Sequence, residues 1–456
     1  MEKKQLKLNY KNTFLIGLAF FAILMLWQVY NTYCPLILEE LLANRYEDAN
    51  KLTYVIGIIM AMDNLAALIL MPIFGVLSDK TKTKKGKRMP YILIGMLASA
   101  LLFPLIATFY LLNSLMGVIL LMMLVLIIMQ GYRSPAVALM PDITPKPLRS
   151  KANGIINLVG YIGAIIAGAL AMVFKKTDGS SQSLVYLWPF VIASIFMLIA
   201  MFILYFKVDE VKLLKENKEA IEYGEKYSQS LENVSEERPL SKKDFKNLII
   251  ILIAIFFWFM SFNAIETFNS LFCQKILNDS GIHGTFTIIL TVSSIISFIV
   301  LSPLADKIGR KASILIGLLG LIIGLTIIAI LAYFTPVESI VNWVWAIYVC
   351  TILIGFSWAL VNINSYPMIV EMANKNNIGK FTGYYYSASM IAQTLTPILI
   401  GIIMSLNDSG LRLLYVYSAF MMILATVVFL FVKERKSSKE IRKENKSFLE
   451  RMGEDN

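Results

Sequence analysis

Residues 75–95 read GVLSDKTKTKKGKRMPYILIG, and residues 304–317 read LADKIGRKASILIG. Each places an aspartate, then basic residues, then an apolar run ending in ILIG, and each is wedged between two apolar stretches long enough to cross a bilayer. Asp79 matches Asp306 at an offset of 227 residues. Further on, PD and SKANG (Asp142, Lys151, Gly154) answer VE and GKFTG (Glu371, Lys380, Gly383) at an offset of 229. Two markers at nearly one offset indicate a parallel duplication, a plan that places a binding site between the two halves near the midplane.

Composition agrees with a chain built for lipid. Of 456 residues 57% are apolar and 16% charged, with a mean hydropathy of +0.67, whereas soluble domains average roughly 45–50% apolar and 25% charged. The net charge of +11 fits loops facing an anionic leaflet. Nucleic acid is not expected as a partner, because no basic face interleaved with stacking aromatics lies outside the apolar runs. Cys34, Cys273 and Cys350 are odd in number and scattered, with no spacing that suits a disulfide framework or a metal site.

Twelve apolar segments fall at about 13–36, 53–78, 90–110, 115–140, 152–174, 185–206, 247–273, 285–305, 312–334, 342–369, 380–406 and 411–432. In lipid, runs of this length satisfy their backbone as helices. The N-terminus and the loops after spans 2, 4, 8 and 10 carry 18 Lys and Arg, against five (Arg45, Lys51, Lys175, Lys176, Lys275) in the opposite loops. The positive-inside rule therefore makes both termini cytoplasmic, in a multi-pass protein of the cell membrane. The expected organisation is all-α, with a six-helix bundle over 1–206, a cytoplasmic linker over 207–246, a second six-helix bundle over 247–433 and a cytoplasmic tail over 434–456. With nine Lys and Arg against ten Asp and Glu, the linker reads as a solvated, partly helical segment.

The repeated loop resembles the signature loop of the major facilitator superfamily. That resemblance implies twelve transmembrane helices in two pseudo-symmetric bundles. It also implies a cytoplasmic gate in which the loop aspartate caps a helix end and the loop cation pairs with an acid on span 4 or span 10. The matching positions are Asp79, Arg88 and Asp142 in the first half, and Asp306, Arg310 and Glu371 in the second. Such clusters are expected to lock the cytoplasmic side while the site faces out. More narrowly, SDKTKTKKGKRMPYILIG, GYRSPAVALMPD, LRSKANGIINLVGYIGAIIAG, FNAIETF and NINSYPM resemble the sucrose-transporter branch close to the glycoside-pentoside-hexuronide cation symporters. Where plant sucrose transporters place an arginine this chain has Val137, and its arginine stands one helical turn earlier, at Arg133.

Ionisable groups inside spans are costly and default to functional candidates. Asp63, Arg133 and Glu266 stand well away from the span ends. Asp63 and Glu266 are the candidates for cation coupling, with a static Asp63–Arg133 ion pair as the bland alternative for the first. Arg133 is the candidate substrate anchor, because a guanidinium offers a planar fork of donors to paired hydroxyls or a carboxylate. Amides and aromatics complete the expected sugar site: Gln130, Asn31, Trp27, Asn263, Asn362, Asn364, Tyr366, Tyr385 and Gln393. The competing reading is that the amides join helices and the rings anchor span ends.

The sequence thus points to a proton- or sodium-coupled symporter of a disaccharide or related glycoside, expected as a monomer in the bilayer. A carrier of lipid or drug and a transport-inactive sugar sensor are the alternatives. No nucleotide cradle, HExxH or GxSxG motif is present, so neither ATP hydrolysis nor another enzyme activity is expected, and no cofactor.

Overall fold

The computed structural model describes residues 7–46, 52–176, 184–232, 242–370, 372, 378–406 and 410–433, with a few side chains inside helices excepted, those of 302–307 among them. The first half contains α1 (Tyr10–Ala43), α2 (Thr53–Lys80), α3 (Met89–Leu111), α4 (Leu115–Ile143), α5 (Arg149–Val173) and α6 (Leu187–Lys207). After α7 (Glu210–Glu232), the second half contains α8 (Lys242–Lys275), α9 (Gly281–Ile308), α10 (Arg310–Phe334), the single turn α11 (Val337–Ile340), α12 (Val344–Val370), α13 (Ile378–Ser405) and α14 (Leu413–Leu430). Twelve of these are long and apolar enough to cross a membrane. Some of them, α1, α4, α8 and α9 among these, run several residues past the expected limits, because capped and charged ends continue the helix beyond the apolar run. At the start of α1 the Asn9 side chain accepts from Asn12 N at 3.1 Å.

Packing follows the duplication. Within the first half α1 lies on α5, α3 on α4 and α6, and α2 on α4; in the second, α8 lies on α13, α10 on α12 and α14, and α9 on α12. The halves meet through the pairs α2 with α13 and α5 with α9, with α1 touching α8. Apolar side chains such as Ile94, Phe206 and Ile299, 68%, 73% and 70% exposed, clothe the outside. On a protein in water such a surface would invite aggregation; around a bundle it matches lipid.

The end that carries Arg88 is the basic end, and the opposite end is the far end. At the far end the halves are pressed together. A Cβ on Gly57 (α2) would lie 2.1 Å from the Pro397 carbonyl oxygen of α13, and one on Gly284 (α9) 2.4 Å from the Gly168 oxygen of α5. Only glycine permits such backbone approach. Two ion pairs close the same rim across the halves, Lys175 to Asp279 at 2.5 Å and Lys275 to Glu39 at 2.6 Å. Toward the basic end, in contrast, Gly154 and Gly383, the paired glycines of the repeat, have open space beside them.

The segment read as a solvated linker is anchored at its start. Glu210 is fully buried, and its carboxylate accepts from the backbone N–H of Lys87 (3.0 Å), Arg88 (2.9 Å) and Met89 (2.9 Å). These are the orphan donors at the beginning of α3, and an anion is the group a helix N-terminus favours. Gly86, at φ 103°, turns the loop so tightly that a Cβ there would overlap the Glu210 carboxylate.

Candidate substrate and coupling site

Between the halves lies a cavity of about 410 Å³, bounded by α1, α4, α5, α8, α9, α12 and α13. Of the expected site residues, Trp27, Arg133, Glu266, Asn362 and Gln393 line it. Arg133 comes from α4, and its guanidinium carbon sits 4.8 Å from the centre of the Trp27 ring on α1. Trp27 in turn donates its Nε1–H across the halves to Glu266 Oε1 at 3.2 Å, and Asn31, one turn further along α1, donates to the same oxygen at 3.3 Å. Arginine, tryptophan and glutamate thereby form one chain spanning both halves.

Asp63 on α2 stands behind this chain, 3% exposed, and accepts a long 3.4 Å hydrogen bond from Gln130 Nε2. Among the described residues no carboxylate oxygen lies within 4.0 Å of Arg133, so the static Asp63–Arg133 ion pair is not formed. Near Asp63 the Tyr30 hydroxyl and Gln130 Oε1 are buried without a partner. A buried polar atom left unpaired is costly.

Several expected contacts fall elsewhere. Asn364 is 2% exposed and bonds the Leu360 oxygen of its own helix at 2.9 Å. It follows Asn362 by two residues, and i,i+2 positions do not share a helix face. Tyr366 and Tyr385 form a ring cluster, 5.5 Å between centres, on α12 and α13 nearer the basic end; their hydroxyls meet Thr382 and Ser365 rather than the cavity. Asn31, Gln130 and Asn263 are buried behind the lining.

The structure also brings in residues that the sequence reading passed over. Phe262 and Trp358 stack at 3.9 Å and 4° on the second-half wall, and Tyr161 lines the first-half wall. Phe262 precedes Glu266 by four residues and Trp358 precedes Asn362 by four, so one-turn periodicity from the polar candidates was the available signal. Asn362 gives one of its two amide N–H groups to the Trp358 oxygen at 2.9 Å, which leaves the other N–H and the carbonyl oxygen free to face the cavity. Gln28 joins the halves by donating to Thr287 at 3.2 Å, and Asn64 by donating to the Gln393 oxygen at 3.3 Å.

At the basic end Arg88, 4% exposed, donates Nε–H to Asp142 at 3.0 Å and bonds Asp79 and Ser78 through its terminal nitrogens. Lys87 adds a 3.1 Å contact to Asp142. These partners join α2, α3 and α4 of one half. The cluster therefore fastens a bundle to itself, and it is formed while the far end is shut, instead of bolting one half to the other. The α3 start is capped by Glu210, while Asp79 is taken by Arg88 and Lys87. In the second half Arg310 opens α10 just after Gly309 at φ 87°; Glu371 and the Asp306 side chain lie outside the described residues.

Twelve spans in two like bundles around a central polar cavity define a membrane carrier fold. The Major Facilitator Superfamily model matches residues 16–364 and 284–453, and the chain belongs to that family, whose general business is secondary transport. No curated relative matches the sequence. Among solved structures, the xylose transporter XylE from E. coli in its inward open conformation is similar at a TM-score of 0.67 and 16% identity, covering 95% of this chain and 99% of that one. The nucleoside transporter NupG is similar at 0.64 and 13%, covering 92% and 100%. A bacterial homolog of the human lysosomal transporter Spinster, inward-facing and occupied, is similar at 0.64 and 13%, covering 95% and 100%.

Proposed function

We propose that the chain is a cation-coupled symporter of a disaccharide or related glycoside, with the proton as the foremost coupling ion, in the sucrose-transporter branch near the glycoside-pentoside-hexuronide symporters. The observation that carries this reading is the cavity wall. Flat rings on both halves (Trp27 and Tyr161 on one side, the Phe262–Trp358 stack on the other) alternate with Arg133, Glu266, Asn362 and Gln393. Rings offer faces to sugar C–H surfaces while the polar groups hold hydroxyls, and the volume is within the roughly 300–1,000 Å³ of small-molecule sites. A lipid carrier calls for a more apolar wall.

In this reading Arg133, held flat by Trp27, anchors substrate hydroxyls, and Glu266 receives them from the opposite half. Asp63 takes and releases the coupling proton. Because Glu266 binds α1 from α8, a substrate that competes for Trp27 and Asn31 loosens the tie between the halves. Binding is thereby coupled to movement. The Arg88–Asp79–Asp142 cluster keeps the first bundle rigid at the basic end, which the charge pattern assigns to the cytoplasm.

Uptake of a panel of labelled disaccharides by cells or vesicles, with and without an imposed pH gradient, tests the reading. Accumulation of at least one disaccharide that collapses with the gradient is expected. Uptake of no glycoside, or uptake indifferent to both proton and sodium gradients, would refute it.

A further inference from the structure

A second concavity lies on the outside of the first half, away from the central cavity. It is a groove of about 540 Å³ between α3 and α6 at the basic end. Its floor is apolar: Leu93, Ile94 and Leu97 on α3 face Phe202 on α6, and Ile94 and Phe202 are 68% and 53% exposed. Its rim is cationic, made by Lys84 and Lys85 of the loop ahead of α3. From Pro90 to Leu97 the α3 wall descends about 10 Å toward the hydrocarbon at a rise of roughly 1.5 Å per residue.

The rim is shaped as well as charged. Thr83 closes the turn by donating its hydroxyl hydrogen to the Gly86 oxygen at 2.6 Å and accepting from Lys85 N at 3.2 Å. This turn hangs Lys85 over α6, where its ammonium sits 3.5 Å from the centre of the Tyr205 ring, at the groove mouth. Lys84 has no partner among the described residues. The acids of the neighbourhood are engaged elsewhere: Asp79 and Asp142 hold Arg88 and Lys87, and Glu210 caps α3.

We infer that this groove is a binding site for one anionic phospholipid of the surrounding leaflet, with its phosphate between Lys84 and Lys85 and an acyl chain along the α3–α6 cleft. Charge complementarity selects the occupant. Basic residues at the membrane surface attract anionic headgroups, and a pocket between helices adds a place for the chain. A zwitterionic lipid would fill the cleft equally well but would leave the two ammonium groups without a matching net charge.

The test is native mass spectrometry of the detergent-purified full chain after titration with phosphatidylglycerol or phosphatidylcholine. The expected result is one phosphatidylglycerol retained several-fold more strongly than phosphatidylcholine. That preference should be lost in the Lys84→Gln/Lys85→Gln variant, and retention should fall in Ile94→Trp, which fills the cleft without altering charge. The charge-matched control Lys212→Gln/Lys215→Gln on exposed α7 should keep it. Equal retention of the two lipids by the unaltered chain, or a preference that survives Lys84→Gln/Lys85→Gln or disappears equally in the control, would overturn the assignment. All three altered groove positions are exposed, so these variants leave the core untouched.

Discussion

Arg133 rests its guanidinium 4.8 Å from the centre of the Trp27 ring, and Trp27 hands its indole N–H to Glu266 at 3.2 Å on the opposite half. The guanidinium, the ring and the tie between the halves are therefore one unit. A cation over tryptophan contributes about 0.5–2 kcal/mol, and a hydrogen bond to a charged group about 1.5–3 kcal/mol.

Arg133→Ala should weaken substrate binding by roughly 10- to 100-fold, since about 1.4 kcal/mol is a factor of ten. Arg133→Lys should recover little of that loss, because an ammonium lacks the planar fork. Trp27→Phe and Arg133→Ala should be non-additive, with a coupling energy of about 0.5–2 kcal/mol in a double-mutant cycle on the half-saturation concentration. Additive effects would show that the ring and the guanidinium act separately.

Asp63 is placed apart from the cavity wall and its hydrogen bond to Gln130 is long. Asp63→Asn should therefore abolish accumulation driven by a pH gradient while sparing exchange of labelled for unlabelled sugar. Loss of both in a protein that still binds sugar would assign Asp63 to a structural role.

The far end is closed by glycine contacts and two ion pairs. Partly exposed pairs contribute about 0.2–1 kcal/mol each, so Lys175→Gln with Lys275→Gln should shift the balance toward opening by roughly 2- to 30-fold. Gly57→Val should do more, because the Pro397 carbonyl leaves no room for a Cβ. Spin-label distances between the far ends of α1 and α8 should lengthen in both variants, and Gly57→Val should stall transport.

Glu210→Ala leaves three backbone donors at the start of α3 without their acceptor. At about 1–3 kcal/mol for a buried unpaired donor, partly relieved by water, the melting temperature should fall by roughly 4–10 °C. Glu210→Gln keeps one acceptor oxygen and should fall between the two. An unchanged melting curve would mean that α7 contributes nothing to the α3 start.

The twelve spans were legible because lipid leaves the backbone one solution at that length, and the duplication was legible because Asp79 and Asp306 stand at like positions. Arg133, Asp63 and Glu266 could be singled out by the cost of charge in apolar runs. Asn364, Tyr366 and Tyr385 could not be sorted from Asn362, since facing toward or away from the cavity is set by how α12 meets α13. Phe262 and Trp358 were hidden among many aromatics, with only their one-turn spacing from Glu266 and Asn362 to mark them, and the structure adds their mutual stacking. The Glu210 cap was invisible because its partner lies more than a hundred residues away and is backbone, which leaves no trace in side-chain pattern.

Counterflow in proteoliposomes examines the carrier account most directly. Vesicles holding the purified chain and loaded with an unlabelled disaccharide should transiently concentrate the labelled sugar from outside with no ion gradient, and Arg133→Ala should remove that overshoot. If labelled sugar only equilibrates, or if the overshoot is the same with Arg133→Ala, two bundles alternating around an arginine-anchored sugar cavity would be the wrong description of this protein.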